Sequence, residues 1–516
     1  MPFLAPVIPG SPPPSRRMLR RTWAAALAAA ALVHVLTLDI SPIYWQDEVQ
    51  QVDFGRLTLE PESEWSTKWS PQTGRPVRAW SYAGPLAHEL LYRAAGETPR
   101  AVRLAALFGA MLAATTMLGW LLARGTSPWP AGALSLAFFL DPLFVKSYKG
   151  GRVDGWAIAA ALASCWMLRR ARAAPAQARR YAALAGALAA AAAMTWQSAV
   201  FLYPLILLEL VHLLREGPGT KHGRRRALTL SAAFLAGSVA VAVALAIPLL
   251  PHASRLVEDT RIFLSSSAAT GAPVTARLRK LLRFGAVAGT LNLSIVVLIT
   301  AFLAALIRRE AGLLLATLAG YALIASTLIY SARVLYLIPY LFALTAGLFL
   351  VPPRRASPVW PRWASVGLLS VLLLWTVGLS LVARPAVALK ERRERDPEGL
   401  FRFAAEKIGA GPHEVYLGRT FEFYYPGRPL GWKIYAPNWE PVAQGSLARK
   451  NRRALFRRVR FAIYRERDLS GDANEGFREL GLQYLGTFCP NAPDFSCEAD
   501  APPSAYGPYV LYGRWP

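Results

Sequence analysis

The sequence is poor in charge, in cysteine and in histidine. Only 17% of its 516 residues are Asp, Glu, Lys or Arg, whereas 54% are hydrophobic and the mean hydropathy is +0.29. Its three cysteines and six histidines form no cluster with the spacing of metal ligands. These shortages exclude an ordinary soluble protein and a recognisable zinc-type site, although a requirement for a divalent cation stays open. The sequence also lacks an internal repeat, which excludes a repeat architecture.

The hydrophobic residues are concentrated in long runs. Each run has about the length that a helix needs to cross ~30 Å of hydrocarbon. The runs cover residues 22–38, 101–123, 129–147, 154–169, 181–195, 198–214, 227–250, 285–307, 311–330, 334–351 and 363–383. They predict a polytopic α-helical membrane protein with about eleven transmembrane helices. A cleaved signal peptide is the alternative for the first run, but no small-residue cleavage site closes it.

The basic residues predict the orientation of these helices. The net charge is +26, and much of it lies in arginine-rich clusters between the runs, at 169–180, 221–226, 308–309 and 354–362. All four clusters fall on the same side of the membrane as the N-terminus, as the positive-inside bias requires if that side is the cytoplasm. The C-terminus then lies on the periplasmic side of an inner membrane. The charge is therefore a topology signal, and it requires no nucleic-acid partner.

Composition divides the chain into three parts. Residues 1–21 are a proline-rich cytoplasmic segment that is predicted to be disordered. Residues 22–383 form the transmembrane domain, with a first outer loop at 39–100. Residues 384–516 are more charged and lack long apolar runs, which predicts a soluble periplasmic α/β domain of ordinary size.

The C-terminal part carries two further signals. Short β-type stretches occur at Glu414–Leu417 and Tyr509–Tyr512. Cys489 and Cys497 face each other across a short polar loop, which predicts a local disulfide and places this end outside the cytoplasm. Two free thiols in a reducing compartment are the alternative.

Three groups of ionisable residues fall in the predicted outer loops. Asp47 and Glu48 come soon after the first helix. The other two groups are Lys146, Lys149, Arg152 and Asp154 after the third helix, and Arg333 in a short later turn. A carboxylate can accept the proton of an attacking hydroxyl, while Arg and Lys stabilise the charge on a departing phosphate. Together these groups indicate transfer from a lipid-linked phosphate, although each one alone also fits a local salt bridge.

These motifs resemble those of the GT-C superfamily of polyprenyl-phosphate-sugar-dependent glycosyltransferases. That superfamily includes protein O-mannosyltransferases and lipid A aminoarabinose transferases. Longer stretches carry the same likeness: AGPLAHELLYRAAGETPRAVRLAALFGAML, LDPLFVKSYKGGRVDGWAIA, MTWQSAVFLYPLILL and SARVLYLIPYLFALTAG. The resemblance covers about residues 22–350, and the C-terminal domain matches only loosely.

The resemblance implies a role for each matching residue. Asp47 matches the catalytic base of the family, with Glu48 beside it. Arg152 and Asp154 match its second outer-loop motif, and Arg333 matches a position associated with the lipid phosphate.

The chain departs from the family pattern at two places. Gly84-Pro85 stands where Pro-Pro is common, and Trp196 follows Thr195 where a basic residue is common. These departures concern the donor and acceptor specificity more than the class.

The predicted function is an inverting glycosyltransferase with its active site at the outer face of the inner membrane. It moves a sugar from a polyprenyl-phosphate donor to a hydroxyl of a glycan, lipid or protein acceptor, as a hexosyl- or pentosyltransferase. Asp47 is the expected base, and Glu48 and Asp154 are expected to orient groups or to hold a divalent cation. The expected phosphate ligands are Lys149, Arg152 and Arg333.

Two functions of other classes are the alternatives. A transporter or flippase for a lipid-linked intermediate would carry acids within the helices along a path, whereas these acids cluster in outer loops. A membrane-anchored sensor would explain the C-terminal domain but would leave the outer-loop acids without a role.

Overall fold

The computed structural model describes residues 16–215, 221–268, 310–326, 331–350, 362–436, 446–468, 481–497 and 505–514. The membrane half is helical, apart from one small hairpin in the first outer loop. Its helices are α1 (Arg16–Val35), α2 (Gln46–Leu59), α3 (Ala83–Ala94), α4 (Pro99–Ala123), α5 (Pro128–Phe139), α6 (Pro142–Lys149), α7 (Asp154–Ala173), α8 (Ala178–Thr195), α9 (Tyr203–Leu214), α10 (Lys221–Ala246), α11 (Ala253–Ala268), α12 (Ala311–Ala325), α13 (Ser331–Val334), α14 (Ile338–Ala346), α15 (Arg362–Val377) and α16 (Arg384–Lys390).

The predicted apolar runs coincide with helices wherever the structure describes them. Four helical stretches are long and apolar enough to cross a membrane: Pro99–Ala123, Gln197–Leu214, Gly223–Arg261 and Leu369–Lys390. The pair α5 and α6 makes a fifth if it is one bent span. The run at 285–307 lies outside the described residues, so the count of about eleven spans stays a prediction.

The bend between α5 and α6 turns the following loop toward α2. The two helix axes differ by 52°. Pro142 has no backbone N–H and is therefore suited to the first turn of a new helix, which the Asp141 carboxylate caps by accepting a hydrogen bond from the N–H of Leu143 at 2.9 Å. The loop 150–153 then leaves α6 beside α2, where the backbone N–H of Val153 donates to Gln51 Oε1 at 2.8 Å.

A buried carboxylate organises the first outer loop. Asp53 Oδ2 accepts hydrogen bonds from Ser66 Oγ at 2.6 Å, the N–H of Thr67 at 2.8 Å and Thr67 Oγ1 at 2.9 Å. Its other oxygen accepts from Arg56 Nε at 2.8 Å. An ionised group is stable in such a site because several donors replace its water. The network ties the chain after α2 back onto α2, and it thereby places Lys68, the next residue, beside that helix.

The C-terminal part is an α/β domain around one five-stranded sheet. Its strands are β3 (Glu414–Gly418), β4 (Lys433–Tyr435), β5 (Phe461–Arg465), β6 (Gln483–Phe488) and β7 (Tyr509–Gly513), after the short hairpin β1 (Trp69–Ser70) and β2 (Arg75–Pro76) of the first outer loop. The spatial order is β4-β3-β5-β7-β6, with β3, β4 and β5 parallel and β7 antiparallel to both of its neighbours. The two predicted β stretches fall in β3 and β7.

Helices cover both faces of this sheet. They are α17 (Glu398–Lys407), α18 (Tyr424–Gly427) and α19 (Ser446–Arg458). Phe403 of α17 shares a core with Val415 of β3, whereas Phe456 of α19 shares one with Ala462 of β5. Side chains alternate between the faces of a strand, so each face of the sheet buries its own layer.

Cys489 and Cys497 form the predicted disulfide, with their Cα atoms 5.2 Å apart. This observation confirms the pairing over the alternative of two free thiols. The bridge closes the turn that follows β6, with eight residues of sequence separation between the two cysteines.

The C-terminal domain packs directly on the first outer loop. Tyr44 and Val49 share one hydrophobic core with Tyr425 and Tyr506 of the domain. Arg428 Nη2 also donates to Glu89 Oε1 of α3 at 3.0 Å. The helix α2, which carries Asp47, is therefore held between the membrane helices and the soluble domain.

Candidate active site

Asp47 lines a small cavity beside the first turn of α2. The cavity has a volume of about 70 Å³, and Gln51, Lys68, Arg152 and Trp196 also line it. The Asp47 side chain is 26% exposed, so its carboxylate is accessible from the cavity. Because Gln51 lies one helical turn after Asp47, it faces the same side of α2.

Arg152 joins Asp47 to a second carboxylate. Its Nη1 donates a hydrogen bond to Asp47 Oδ2, and its Nε donates to Asp154 Oδ2 at 2.6 Å. The guanidinium is nearly buried, with a side-chain exposure of 8%. A planar guanidinium suits this role because it can serve two acceptors at fixed angles.

Glycine is required in the loop that brings Arg152 to α2. Gly151 has φ 62°, in the left-handed region that L side chains rarely adopt. A Cβ atom there would also lie 2.8 Å from Glu48 Cγ. The Gly-Gly pair before Arg152 in the sequence therefore permits the close approach of this loop to α2.

Asp154 lies behind Arg152 and is fully buried. It accepts hydrogen bonds from Ser147 Oγ at 2.9 Å and from the Tyr336 hydroxyl at 2.8 Å, in addition to the bond from Arg152. These donors come from three different segments, so Asp154 fixes the position of the guanidinium relative to α6 and the helix region after Arg333. It supports the site from behind rather than facing the cavity.

Lys68 is a site residue that the sequence did not single out. Its Nζ lies 5.1 Å from the centroid of the Phe54 ring, within the cavity that Asp47 lines. Burial lowers the pKa of Lys68 from 10.5 to about 8, against the opposing effect of the negative charge of Asp47 and with a smaller contribution from Arg333. Its position after Ser66-Thr67, which bind Asp53, could be recognised only from the folded loop.

Arg333 approaches the same site from the other half of the membrane domain. It lies in the short helix α13, is 6% exposed, and acts electrostatically on Lys68. Lys68 and Arg152 line the cavity of Asp47, and Arg333 acts electrostatically on Lys68 without lining that cavity. Two of these three were predicted from the sequence.

The structure places Glu48 and Lys149 outside the cavity. Both oxygens of Glu48 accept hydrogen bonds from Arg103, each at 2.9 Å, and both side chains are fully buried. Lys149 Nζ donates to Thr37 Oγ1 at 2.6 Å, on the side of α1. Neither residue lines the cavity, and the contacts of both lie in the packing around α2 and α6.

The described residues offer no cluster for a metal ion. No group of three or more His, Cys, Asp or Glu side chains in the described ranges is arranged to hold one. Asp47 and Asp154 both accept hydrogen bonds from Arg152, so the two carboxylates share one guanidinium. The chemistry of this site is accordingly that of fixed cations around one accessible carboxylate, and dependence on a divalent cation stays an open prediction.

Gly84 and Trp196, which depart from the sequence pattern that the chain otherwise resembles, lie close together in the structure. A Cβ atom on Gly84 would lie 2.7 Å from the carbonyl oxygen of Thr195, so only glycine permits this packing of α3 on α8. Trp196, the next residue, lines the cavity of Asp47. An indole thus lines the cavity at this position, and it offers an aromatic surface rather than a charge.

His88 lies in α3 (Ala83–Ala94) and is fully buried. Burial lowers the pKa of His88 to about 4, so the ring is neutral at pH 7. The loop at 150–153 and the end of α8 cover this side of α3.

The bent helices, the first outer loop with its acid, and the docked α/β domain are the features that a comparison with known proteins has to match. No family model matches the chain, and no curated protein matches its sequence. The fold class rests on solved structures.

Two such structures are ArnT of Cupriavidus metallidurans and AftD of Mycobacteria. The chain aligns with ArnT bound to undecaprenyl phosphate at a TM-score of 0.59 and 14% identity, over 95% of this chain and 98% of ArnT. For apo ArnT the TM-score is 0.60 at 13% identity, over 96% and 98%. The arabinofuranosyltransferase AftD aligns at a TM-score of 0.56 and 15% identity, over 96% of this chain and 40% of AftD. The chain is therefore a multi-pass membrane protein with a GT-C-like fold.

Proposed function

We propose that the protein transfers a sugar from a polyprenyl-phosphate donor to an acceptor hydroxyl. The observation that carries this proposal is the accessible Asp47 carboxylate in a cavity that Lys68 and Arg152 also line, with Arg333 acting electrostatically on Lys68. ArnT binds undecaprenyl phosphate in its solved structure, and this chain aligns with 98% of ArnT. That likeness supports a donor of this class.

The site suits a direct displacement. The acceptor oxygen attacks the anomeric carbon, the bond from that carbon to the phosphate oxygen breaks, and polyprenyl phosphate leaves with the bonding electrons. Asp47 takes the proton of the acceptor hydroxyl. Attack from the face opposite the phosphate inverts the anomeric configuration.

The cations stabilise the departing phosphate. Lys68 and Arg333 lie close enough to influence one another, so an anion between them would relieve their repulsion. Arg152 keeps Asp47 oriented through its bond to the carboxylate, while Asp154 holds the guanidinium from behind. Because the surroundings are partly desolvated, charges fixed in this way act more strongly than they would in water.

The cavity walls fit the remainder of the donor. Phe54, Trp80 and Trp196 line the cavity together with the charged groups, and aromatic faces pack against sugar rings. We assign the site and the C-terminal domain to the periplasmic side on the basis of the arginine distribution and the Cys489–Cys497 disulfide.

The replacement Asp47→Asn tests the proposal. Purified protein in phosphatidylcholine nanodiscs would be supplied with a panel of undecaprenyl-phosphate hexoses and pentoses and a cell-envelope extract, and release of undecaprenyl phosphate would be measured. Loss of the base predicts a rate lower by about 10²- to 10⁴-fold. Asp39→Asn is the matched control, since Asp39 lies in the same loop but pairs with Arg100 at the surface. Full activity of D47N would exclude Asp47 as the base.

A further inference from the structure

A second and larger cleft lies between the first outer loop and the C-terminal domain. It has a volume of about 590 Å³. The membrane half contributes Trp45, Gln46 and Lys146, and the domain contributes Arg419, Arg465 and Arg467. The donor chemistry described above uses none of these residues.

The cleft begins next to the proposed base. Gln46 lines the cleft, and Asp47, the following residue of α2, lines the catalytic cavity. Successive helical residues point about 100° apart, so the two spaces flank the same turn of α2. Gly150 also lines the cleft, two residues before Arg152. A molecule in the cleft would therefore lie beside Asp47 on the side away from the donor cavity.

The domain side of the cleft is the topological switch point of its sheet. From β3 the chain passes to β4 on one side and then to β5 on the other, through α18 and α19 on opposite faces. Open α/β sheets bind ligands at the carboxyl ends of the strands that flank such a point. Arg419 follows the last residue of β3, Arg465 ends β5, and Arg467 comes two residues later. All three lie at this edge.

The cleft is cationic. Lys146, Arg419 and Arg467 are exposed, and in the part of the chain that the structure describes none of them is ion-paired. Its one acid, Glu422, accepts hydrogen bonds from Arg465 at 2.7 Å and from the Tyr509 hydroxyl at 2.5 Å. The negative charge is thus already balanced, and three positive charges remain for a ligand.

Two local features support a binding role. Arg419 has φ 64°, a backbone conformation that suits glycine and is strained for arginine. Trp45 is 44% exposed, with the Lys146 ammonium 5.6 Å from the centroid of its ring. An exposed indole beside unpaired cations suits a sugar ring that carries an anionic group.

We propose that this cleft binds the acceptor, and that the acceptor is an anionic saccharide bearing phosphate or carboxylate groups. The assignment of the ligand as acceptor rests on the proposed glycosyl transfer. The anion contacts Arg419, Arg467 and Lys146, and the sugar ring packs on Trp45. A hydroxyl of that sugar then points past the first turn of α2 toward Asp47.

Equilibrium binding to the intact protein in phosphatidylcholine nanodiscs tests the inference. The probes are trehalose 6-phosphate, digalacturonate and neutral trehalose, with undecaprenyl phosphate present in excess so that the donor cavity is filled. Wild type is expected to bind at least one anionic probe at least tenfold more tightly than trehalose. The double variant R419Q/R467Q is expected to lose that difference, by about tenfold in Kd. R457Q/R460Q removes the same charge from exposed positions of the domain and is expected to bind as wild type does.

Each outcome of the binding experiment either supports or overturns the inference. Binding of only one anionic probe supports the inference and identifies the anion as phosphate or carboxylate. Equal binding of neutral and anionic probes by wild type, or equal binding of the anionic probe by R419Q/R467Q and R457Q/R460Q, overturns it. The proposed glycosyl transfer fails on a different measurement, namely the absence of donor consumption by wild type, because probe binding requires no turnover.

Discussion

The lowered pKa of Lys68 predicts a loss of activity at alkaline pH. Its pKa is lowered to about 8 by burial, so the ammonium is about 90% protonated at pH 7 and about 10% protonated at pH 9. If the protonated form binds the donor phosphate, kcat/KM for the donor falls about tenfold between pH 7 and pH 9, with a midpoint near pH 8. A bound phosphate favours the cation, so the corresponding fall in kcat lies at higher pH.

Two variants at this position separate Lys68 from other titrating groups. Lys68→Arg keeps its charge beyond pH 9 and is expected to remove the alkaline fall. Lys68→Met is expected to show a low kcat/KM that does not change across this alkaline range. The assay is initial-rate release of undecaprenyl phosphate between pH 6 and pH 10 in phosphatidylcholine nanodiscs. A wild-type profile that is flat to pH 9, or an unchanged midpoint near 8 in K68R, would refute the assignment of the fall to Lys68.

A measurement of the Tm of K68M shows whether a loss of activity results from unfolding. Because the pKa of Lys68 is lower in the folded protein than in the unfolded chain, its positive charge opposes folding below pH 8. That penalty decreases as the pH rises from about 8 to 10.5 and is absent above. K68M is therefore expected to keep or raise Tm at pH 7, so that lost activity cannot be attributed to unfolding.

Two further predictions concern residues beside the cavity. Glu48→Gln leaves the buried Arg103 without its counter-charge and is expected to lower the free energy of unfolding by about 3–5 kcal/mol, seen as a fall in Tm in detergent. A Tm equal to that of wild type would show that the pair contributes little. Asp154→Asn weakens the hold on Arg152 and is expected to reduce kcat by about 10²-fold with a small change in donor KM. A change confined to KM would instead mean that Asp154 acts on donor binding.

Much of the architecture followed from local patterns. The apolar runs predicted the membrane helices because a span must satisfy its own backbone hydrogen bonds over a length set by the bilayer. The two β stretches predicted strands of the C-terminal sheet, and the spacing of Cys489 and Cys497 predicted their bridge. The sequence motifs also drew attention to Asp47, Arg152 and Arg333.

Other features could not be predicted because they depend on contacts between distant segments. Lys68 carries no motif, and it reaches the site only because Asp53 binds the two residues before it. Glu48 stands next to Asp47 in the sequence, yet one step of about 100° along α2 turns it to Arg103 and away from the cavity. Lys149 belongs to the same motif as Arg152 but lies before the glycine turn that redirects the chain toward α2.

The sequence by itself therefore predicted a helical membrane protein with a C-terminal α/β domain, and it pointed to the candidate base. These properties arise from composition and from periods of a few residues, which are local. Only the tertiary structure decided which charges share a cavity and which are neutralised elsewhere. The reason is that electrostatic partners can be far apart in the chain. Asp47 and Arg152 are separated by 105 residues, and they meet because α2 packs against the loop after α6.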